Sequence, residues 1–155
     1  MNNKSTFKDA FLFQLDPRIQ ATSFFLGSWP LSNVLLKNDE NYPWFLLVPR
    51  RSDIEEIYQL DAQDQLLLMQ EINQLSLLVK NYYQPKKINV ASLGNIVRQL
   101  HIHCVARTEQ DSLWPQGIWQ SSYQSTPYPE AVLQTMLPRF EELVSQGNKY
   151  FSSLL

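Results

Sequence analysis

The stretch Gln99-Leu-His-Ile-His-Cys-Val-Ala-Arg107 decides how this chain is read. Leu100, Ile102 and Cys104 alternate with Gln99, His101 and His103, the period-two pattern of a strand with one apolar face. Residues i and i+2 of a strand point the same way with Cα atoms about 6.6 Å apart, so the two imidazoles share a face with Gln99 beside them. They are the only histidines in the chain. A neutral imidazole can attack an electrophile while a protonated neighbour stabilises the negative charge that develops, and phosphorus esters suit that chemistry. A zinc site is the competing use of His-x-His. Cys104 points to the opposite face, however, and Glu109 or Asp111 would have to fold back to complete such a site.

Upstream, Ile88 to Ala91 reads as a short strand, separated from the histidine strand by a turn at Gly94. Before it, Leu68, Met69, Ile72, Leu75 and Val79 recur at helical spacing, which predicts a helix from Asp61, its N-cap, to about Tyr82, with Pro85 preventing continuation. Thr22 to Leu26 is β-branched and aromatic and is broken by Gly27 to Pro30. Ser32 to Lys37 and Trp44 to Val48 form a hairpin across an Asp39 to Pro43 turn, and Pro49 with Arg50 and Arg51 ends its second arm. Downstream, Thr108 to Thr126 lacks a sustained period and reads as a long ordered loop carrying Trp114 and Trp119. A last helix from Pro127 or Pro129 presents Leu133, Met136, Leu137, Phe140 and Val144, with Pro138 expected to kink or shorten it. The expected fold class is α+β: an antiparallel sheet of about five strands with two main helices.

The 155 residues suffice for one domain spanning 1–155, and 44% hydrophobic against 18% charged residues describe a packed core rather than disorder. Thirteen basic against fifteen acidic residues give a net charge of −2, so no general basic field awaits a nucleic-acid backbone. Cys104 is the single cysteine, which excludes an intrachain disulfide and a Cys-based metal cage and points to a reducing, cytoplasmic setting. With no leader-like segment or run of membrane-spanning length, neither nucleic acid nor membrane is an expected partner.

The stretch from Asn89 through Gly94 and Asn95 to His101, His103 and Arg107 resembles the signature of the histidine triad (HIT) family of nucleotidyl hydrolases and transferases. Leu35-Leu-Lys-Asn38-Asp39 followed by Phe45-Leu-Leu-Val-Pro49-Arg50 resembles that family's nucleoside-binding hairpin, and Trp114-Pro115-Gln-Gly117 adds a third match. The likeness covers roughly residues 10 to 120, leaving 121–155 as a C-terminal loop and helix. Gln-Leu-His-x-His is similar to the strand of the bacterial diadenosine tetraphosphate hydrolase-like group.

This resemblance implies that His101 is the nucleophile that carries a nucleotidyl group, that His103 binds and polarises the phosphate, and that Gln99 stands in the first histidine's place. An amide there donates a hydrogen bond but carries no imidazolium charge. Asn95 and the backbone around Gly94 to Val97 would contact phosphate, with Ile96 standing where some members carry a serine. Asn38, and less strongly Asp39, would bind ribose, although both also suit the turn itself. Leu36, Phe45 or Leu47 would line the base pocket, and Asn89 would orient the strand. Arg50, Arg51, Arg98 and Arg107 are candidates for a polyphosphate chain, while Trp114 and Trp119 would close over the nucleotide or cross a subunit boundary. The implied partner is a purine nucleotide or dinucleoside polyphosphate, with no metal or other cofactor, in a homodimer pairing two sheets into ten strands. The expected activity is hydrolysis at the α-phosphate of diadenosine polyphosphates or nucleoside phosphoramidates. The alternative is a nucleotide-binding sensor with little turnover, which Gln99 and Ile96 keep in view.

Overall fold

The computed structural model describes residues 13–152. In chain order these form α1 (Pro17–Gln20), β1 (Ser23–Ser28), β2 (Ser32–Lys37), β3 (Trp44–Pro49), a 3₁₀ turn (Ile57–Gln59), α2 (Ala62–Tyr83), β4 (Lys87–Ser92), β5 (Ile102–Arg107) and α3 (Glu130–Ser152). The strands build one antiparallel five-stranded sheet in the order β1-β2-β3-β5-β4, the α+β arrangement expected from the sequence.

The central strands read as nearly unbroken apolar runs because both of their faces are covered. On one side Val34, Leu36, Phe45, Leu47, Ile102 and Cys104 pack against Leu68, Leu75 and Val79 of α2 and Phe140 and Val144 of α3. On the other, Leu35, Trp44, Leu46, Val48 and Val105 form a second cluster with Ile19 of α1, Tyr42 and Ile118. This second face is roofed by the chain before β1 and the loop after β5, and it is here that the histidines point.

α2 starts where its cap predicts, with the Asp61 carboxylate accepting from Asp64 N at 2.8 Å, and ends at Gln84 in the left-handed conformation, φ 49°. Its buried stripe is Asp64, Leu68, Glu71, Leu75 and Val79, and the expected Met69 faces water instead. Two carboxylates are buried on this stripe because each bonds a loop. Asp64 holds Arg51 through bonds of 2.6 and 2.7 Å, and Glu71 Oε1 accepts from Leu31 N at 2.7 Å and Ser32 N at 3.3 Å in the β1–β2 turn. Burial pushes the Glu71 carboxyl above its ordinary pKa.

Two expected breaks are absorbed. β1 continues through Gly27 by a bulge, the register shifting between Phe25 and Gly27. α3 continues through Pro138, where the lost backbone bond falls on a turn whose Gln134 and Pro138 are both exposed to water. α3 then seats on β1 at Gly27, whose φ is +154° and where an added Cβ would stand 3.0 Å from Val144 Cγ1.

Gly27→Ala therefore combines backbone strain with a clash against α3, and a loss of about 1–3 kcal/mol in unfolding free energy is expected. Chemical denaturation checks it; a change within about 0.5 kcal/mol of zero would refute this packing.

Candidate active site

β5 begins at Ile102, three residues later than the alternation suggests, because Leu100 N donates to Ile54 O at 2.9 Å instead of entering the ladder. His101 thus precedes the strand, while His103 lies within it, opposite Leu46 of β3 and Ala91 of β4. The rings still meet, with centroids 4.7 Å apart and edge to face, and each residue is 8% exposed. They line a cavity of about 630 Å³ together with the 93–97 turn, Ile19, Lys37, Trp44, Leu46 and Trp119.

Hydrogen bonding assigns the two rings opposite tautomers. His101 Nδ1 lies 2.7 Å from Gln99 O, a carbonyl that can only accept, so Nδ1 carries a proton and the neutral ring has its lone pair on Nε2. His103 Nδ1 lies 3.0 Å from Trp44 Nε1, an indole that can only donate, so its proton belongs on Nε2. Burial, then the charges of His101 and Lys37, press the His103 pKa down to about 3. The expected protonated neighbour is therefore a neutral ring: His101 offers a nucleophilic nitrogen and His103 an uncharged N–H donor.

The other candidates separate clearly. Gly94, with φ +141°, Asn95, Ile96 and Val97 line the cavity as the sequence suggests. Gln99 does not line it. Its Oε1 accepts from Asp16 N at 2.9 Å and its Nε2 donates to Gln14 O at 2.8 Å, so the amide staples the segment before α1 to the histidine strand. Asn38 Oδ1 accepts from Tyr128 N at 2.9 Å, and the fully buried Asp39 accepts from the Tyr123 hydroxyl, Asn41 N at 3.1 Å and Thr126 N at 3.4 Å. Both are thus engaged in holding the long loop rather than facing the cavity. Asn89 Oδ1 accepts from Arg107 Nη1 at 2.9 Å, away from the cavity lining.

Leu36, Phe45 and Leu47 belong to the helix-side core, a correction of one residue in strand parity; Trp44 and Leu46 hold the cavity side instead. The four arginines expected to meet polyphosphate are also committed. Arg51 pairs with Asp64, Arg98 with Glu55 at 2.8 Å, and Arg50 donates to Trp29 O and Pro30 O. Arg107, 1% exposed, is bidentate to Asp111 at 2.8 Å and lies against the Tyr42 and Trp114 rings. Asp111 is thereby removed from any zinc site, and Glu109 pairs with Lys86 at 3.2 Å. Among the described residues no group of three His, Cys, Asp or Glu side chains is placed to hold a metal ion. Cys104 is buried on the helix side, where desolvation lifts its thiol to about 12.

Sequence reasoning missed the cations that do face the cavity. Lys37 ends β2 with Nζ 2.8 Å from Thr22 Oγ1 and 5.8 Å from the Trp44 ring centroid, and burial lowers its pKa. Arg18 pairs with Asp16 at 2.7 Å, a contact that holds the Asp16 carboxyl down to about 2, and donates to Ile96 O at 2.9 Å. Lys37 shares its strand face with Leu35, the only available sign, and Arg18 lies on a four-residue helix with no period to read.

A five-stranded α+β sheet thus brings two adjacent imidazoles and the 93–97 turn to one cavity. Residues 18–110 match the HIT domain, and the chain belongs to the histidine triad family, whose fold binds and hydrolyses nucleotides. It is similar to a histidine triad protein from Marinobacter aquaeolei VT8, at 39% identity and TM-score 0.82, covering 86% of this chain and 97% of that one. Histidine triad proteins from Sinorhizobium meliloti 1021 and Bradyrhizobium japonicum are each 38% identical, with TM-scores of 0.81 and 0.80. The former match covers 86% of this chain and 98% of its counterpart, the latter 85% and 98%. Among curated proteins, none matches this chain. Among the described residues, no helix is long and apolar enough to cross a membrane.

The depressed His103 pKa has a signed consequence for stability. Between its ordinary value of 6.5 and its folded value of about 3, the unfolded chain binds a proton that the folded protein refuses, so stability falls as pH falls through that window. Replacing the ring by His103→Asn, whose amide oxygen accepts from Trp44, is expected to flatten the acid-side slope by up to about 1.4 kcal/mol per pH unit. Denaturant unfolding across the window checks this; an unchanged slope would mean that folded His103 is protonated there.

Proposed function

We propose that this protein is a nucleotidyl hydrolase of the diadenosine tetraphosphate hydrolase-like kind, cleaving diadenosine polyphosphates or nucleoside phosphoramidates at the α-phosphate. The observation that carries this reading is the pair of histidines on one cavity wall, His101 Nδ1 against the Gln99 carbonyl and His103 Nδ1 against the Trp44 indole N–H. The His101 Nε2 lone pair attacks phosphorus in line, the N–P bond forms as the bond to the leaving group breaks, and the departing electron pair goes with polyphosphate or amine. His103 Nε2–H and the backbone amides of the 94–97 turn donate to the phosphoryl oxygens, with Asn95 beside them. Water then attacks phosphorus, the N–P electron pair returns to His101, and the nucleoside monophosphate leaves. Ile19, Leu46 and Trp119 offer an apolar wall for a purine.

Two copies of the chain would pair through β4, an edge strand with Val90 45% exposed, and through the outer face of α2, where Leu66, Met69 and Leu77 face water. The buried lone cysteine suits action in the reducing cytoplasm. One observation favours the second reading, a nucleotide sensor with little turnover: Gln99, in the first histidine's place, spends its amide on the chain before α1.

Incubation with diadenosine tetraphosphate and with adenosine phosphoramidate, followed by chromatography, separates the two. Release of AMP is expected from the native protein, and His101→Asn should slow it by about 1,000-fold or more while nucleotide binding persists. Native protein that binds AMP but releases none would favour the sensor, whereas undiminished turnover in His101→Asn would end the mechanism.

A further inference from the structure

Trp44 is the first residue of β3 and pairs with Val105, so its ring reaches His103 on the diagonal, two residues along β5. The indole N–H ends on His103 Nδ1 at 3.0 Å, with ring centroids 5.5 Å apart. Adding a proton to His103 would set two N–H groups against each other in a buried site. The surroundings act in the same direction. Trp119 stands edge-on to both rings, with centroids 6.3 Å from Trp44 and 5.5 Å from His103, and shields their contact from water. The Lys37 ammonium near the indole strengthens its N–H as a donor and opposes further positive charge on His103. His101, the other titratable group facing His103, opposes that charge too. The acidic Asp16 acts on His101 and is itself paired with Arg18.

We propose that Trp44 is a positioning residue, whose N–H holds His103 as a neutral ring with a fixed Nε2–H donor aimed into the cavity. The reaction part of this proposal rests on the nucleotidyl-transfer reading; the tautomer part stands on the hydrogen bond alone. A neutral imidazole without such a partner exchanges between two tautomers, one of which turns a lone pair toward an anionic phosphate. Trp44 removes that unproductive form. It supplies the donor without an imidazolium, so the site keeps the same hydrogen-bonding pattern across neutral pH.

The consequence for a Trp44→Phe variant is specific. Neutral His103 loses its fixed donor, whereas the imidazolium formed at lower pH regains an Nε2–H, so acid restores what the substitution removes. The variant's kcat relative to wild type is expected to be about tenfold lower near pH 8 and to recover as pH falls, with KM changed less. Titrations that both proteins share cancel in that ratio, and a purely structural defect has no reason to heal in acid.

The direct test is nitrogen NMR on protein labelled in the imidazole rings. Wild-type His103 is expected to show an unprotonated Nδ1 and a protonated Nε2 throughout the neutral range. In Trp44→Phe the two shifts should average, and the His103 pKa should rise by about one pH unit or more. A wild-type proton on Nδ1, or an imidazolium at neutral pH, would overturn the proposal with no variant needed, so a poorly folding Trp44→Phe still leaves it decided. An unchanged tautomer and pKa in the variant would overturn it as well. A kcat ratio that stays flat with pH would overturn the reaction part. Should the wild-type tautomer be fixed as described while neither nucleotide substrate turns over, the hydrogen-bond lock stands and the nucleotidyl-transfer reading falls.

Discussion

The whole site stands on three strands whose two faces are both buried. Because β2, β3 and β5 are pressed between helices on one side and loop on the other, their side chains have no freedom to slip register. A one-residue shift would send His103 into the helix-side core and bring Cys104 to the cavity. The bulge at Gly27 and the seat of α3 against it serve the same end, since they fix the helix layer against which the central strands are held. Rigidity of this kind is what lets one indole N–H determine where a proton sits on an imidazole.

Covering the second face with loop rather than helix requires many polar backbone groups to be satisfied without regular structure. The chain meets that need with side chains that the sequence offers as binding groups. Asp39 collects Tyr123, Asn41 and Thr126; Asn38 holds Tyr128; Gln99 holds the chain at residues 14 and 16. Arg107 ties Asn89 and Asp111 together beneath two aromatic rings. Asp39 and Arg107 are fully buried and Asn38 and Gln99 half-buried, all of them partnered, which makes the roof costly to open. The cavity therefore has walls set by hydrogen bonds on the loop side and by sheet packing beneath.

Within that frame the electrostatics are economical. The cavity is lined by two imidazoles, one lysine and the paired Arg18, and burial with the neighbouring charges keeps a proton off His103. A lone pair on one ring and an N–H on the other suit a phosphoryl group that must be attacked and held at once. The familial relationship fits this arrangement, and His103 is kept neutral by its burial together with the Trp44 N–H and the charge of Lys37.

By itself the sequence determined the elements and the reactive pair. Helical spacing with Asp61 as cap placed α2 within a residue of its ends, and alternation from Gln99 to Cys104 put both histidines on one face, because local periodicity and capping are written in consecutive residues. The motifs around Asn89 to Arg107 likewise identified the family. What only the tertiary structure decided was which polar groups face the cavity. In strands buried on both sides, parity carries no hydrophobic signal, so Phe45 and Leu47 could not be told from Trp44 and Leu46. Apart from Asn41, the partners of Asn38, Asp39 and Gln99 lie 83 to 90 residues away in the chain, and no local pattern announces bonds of such separation. The proton on His103 is settled the same way, by an indole 59 residues distant that folding brings to 3.0 Å.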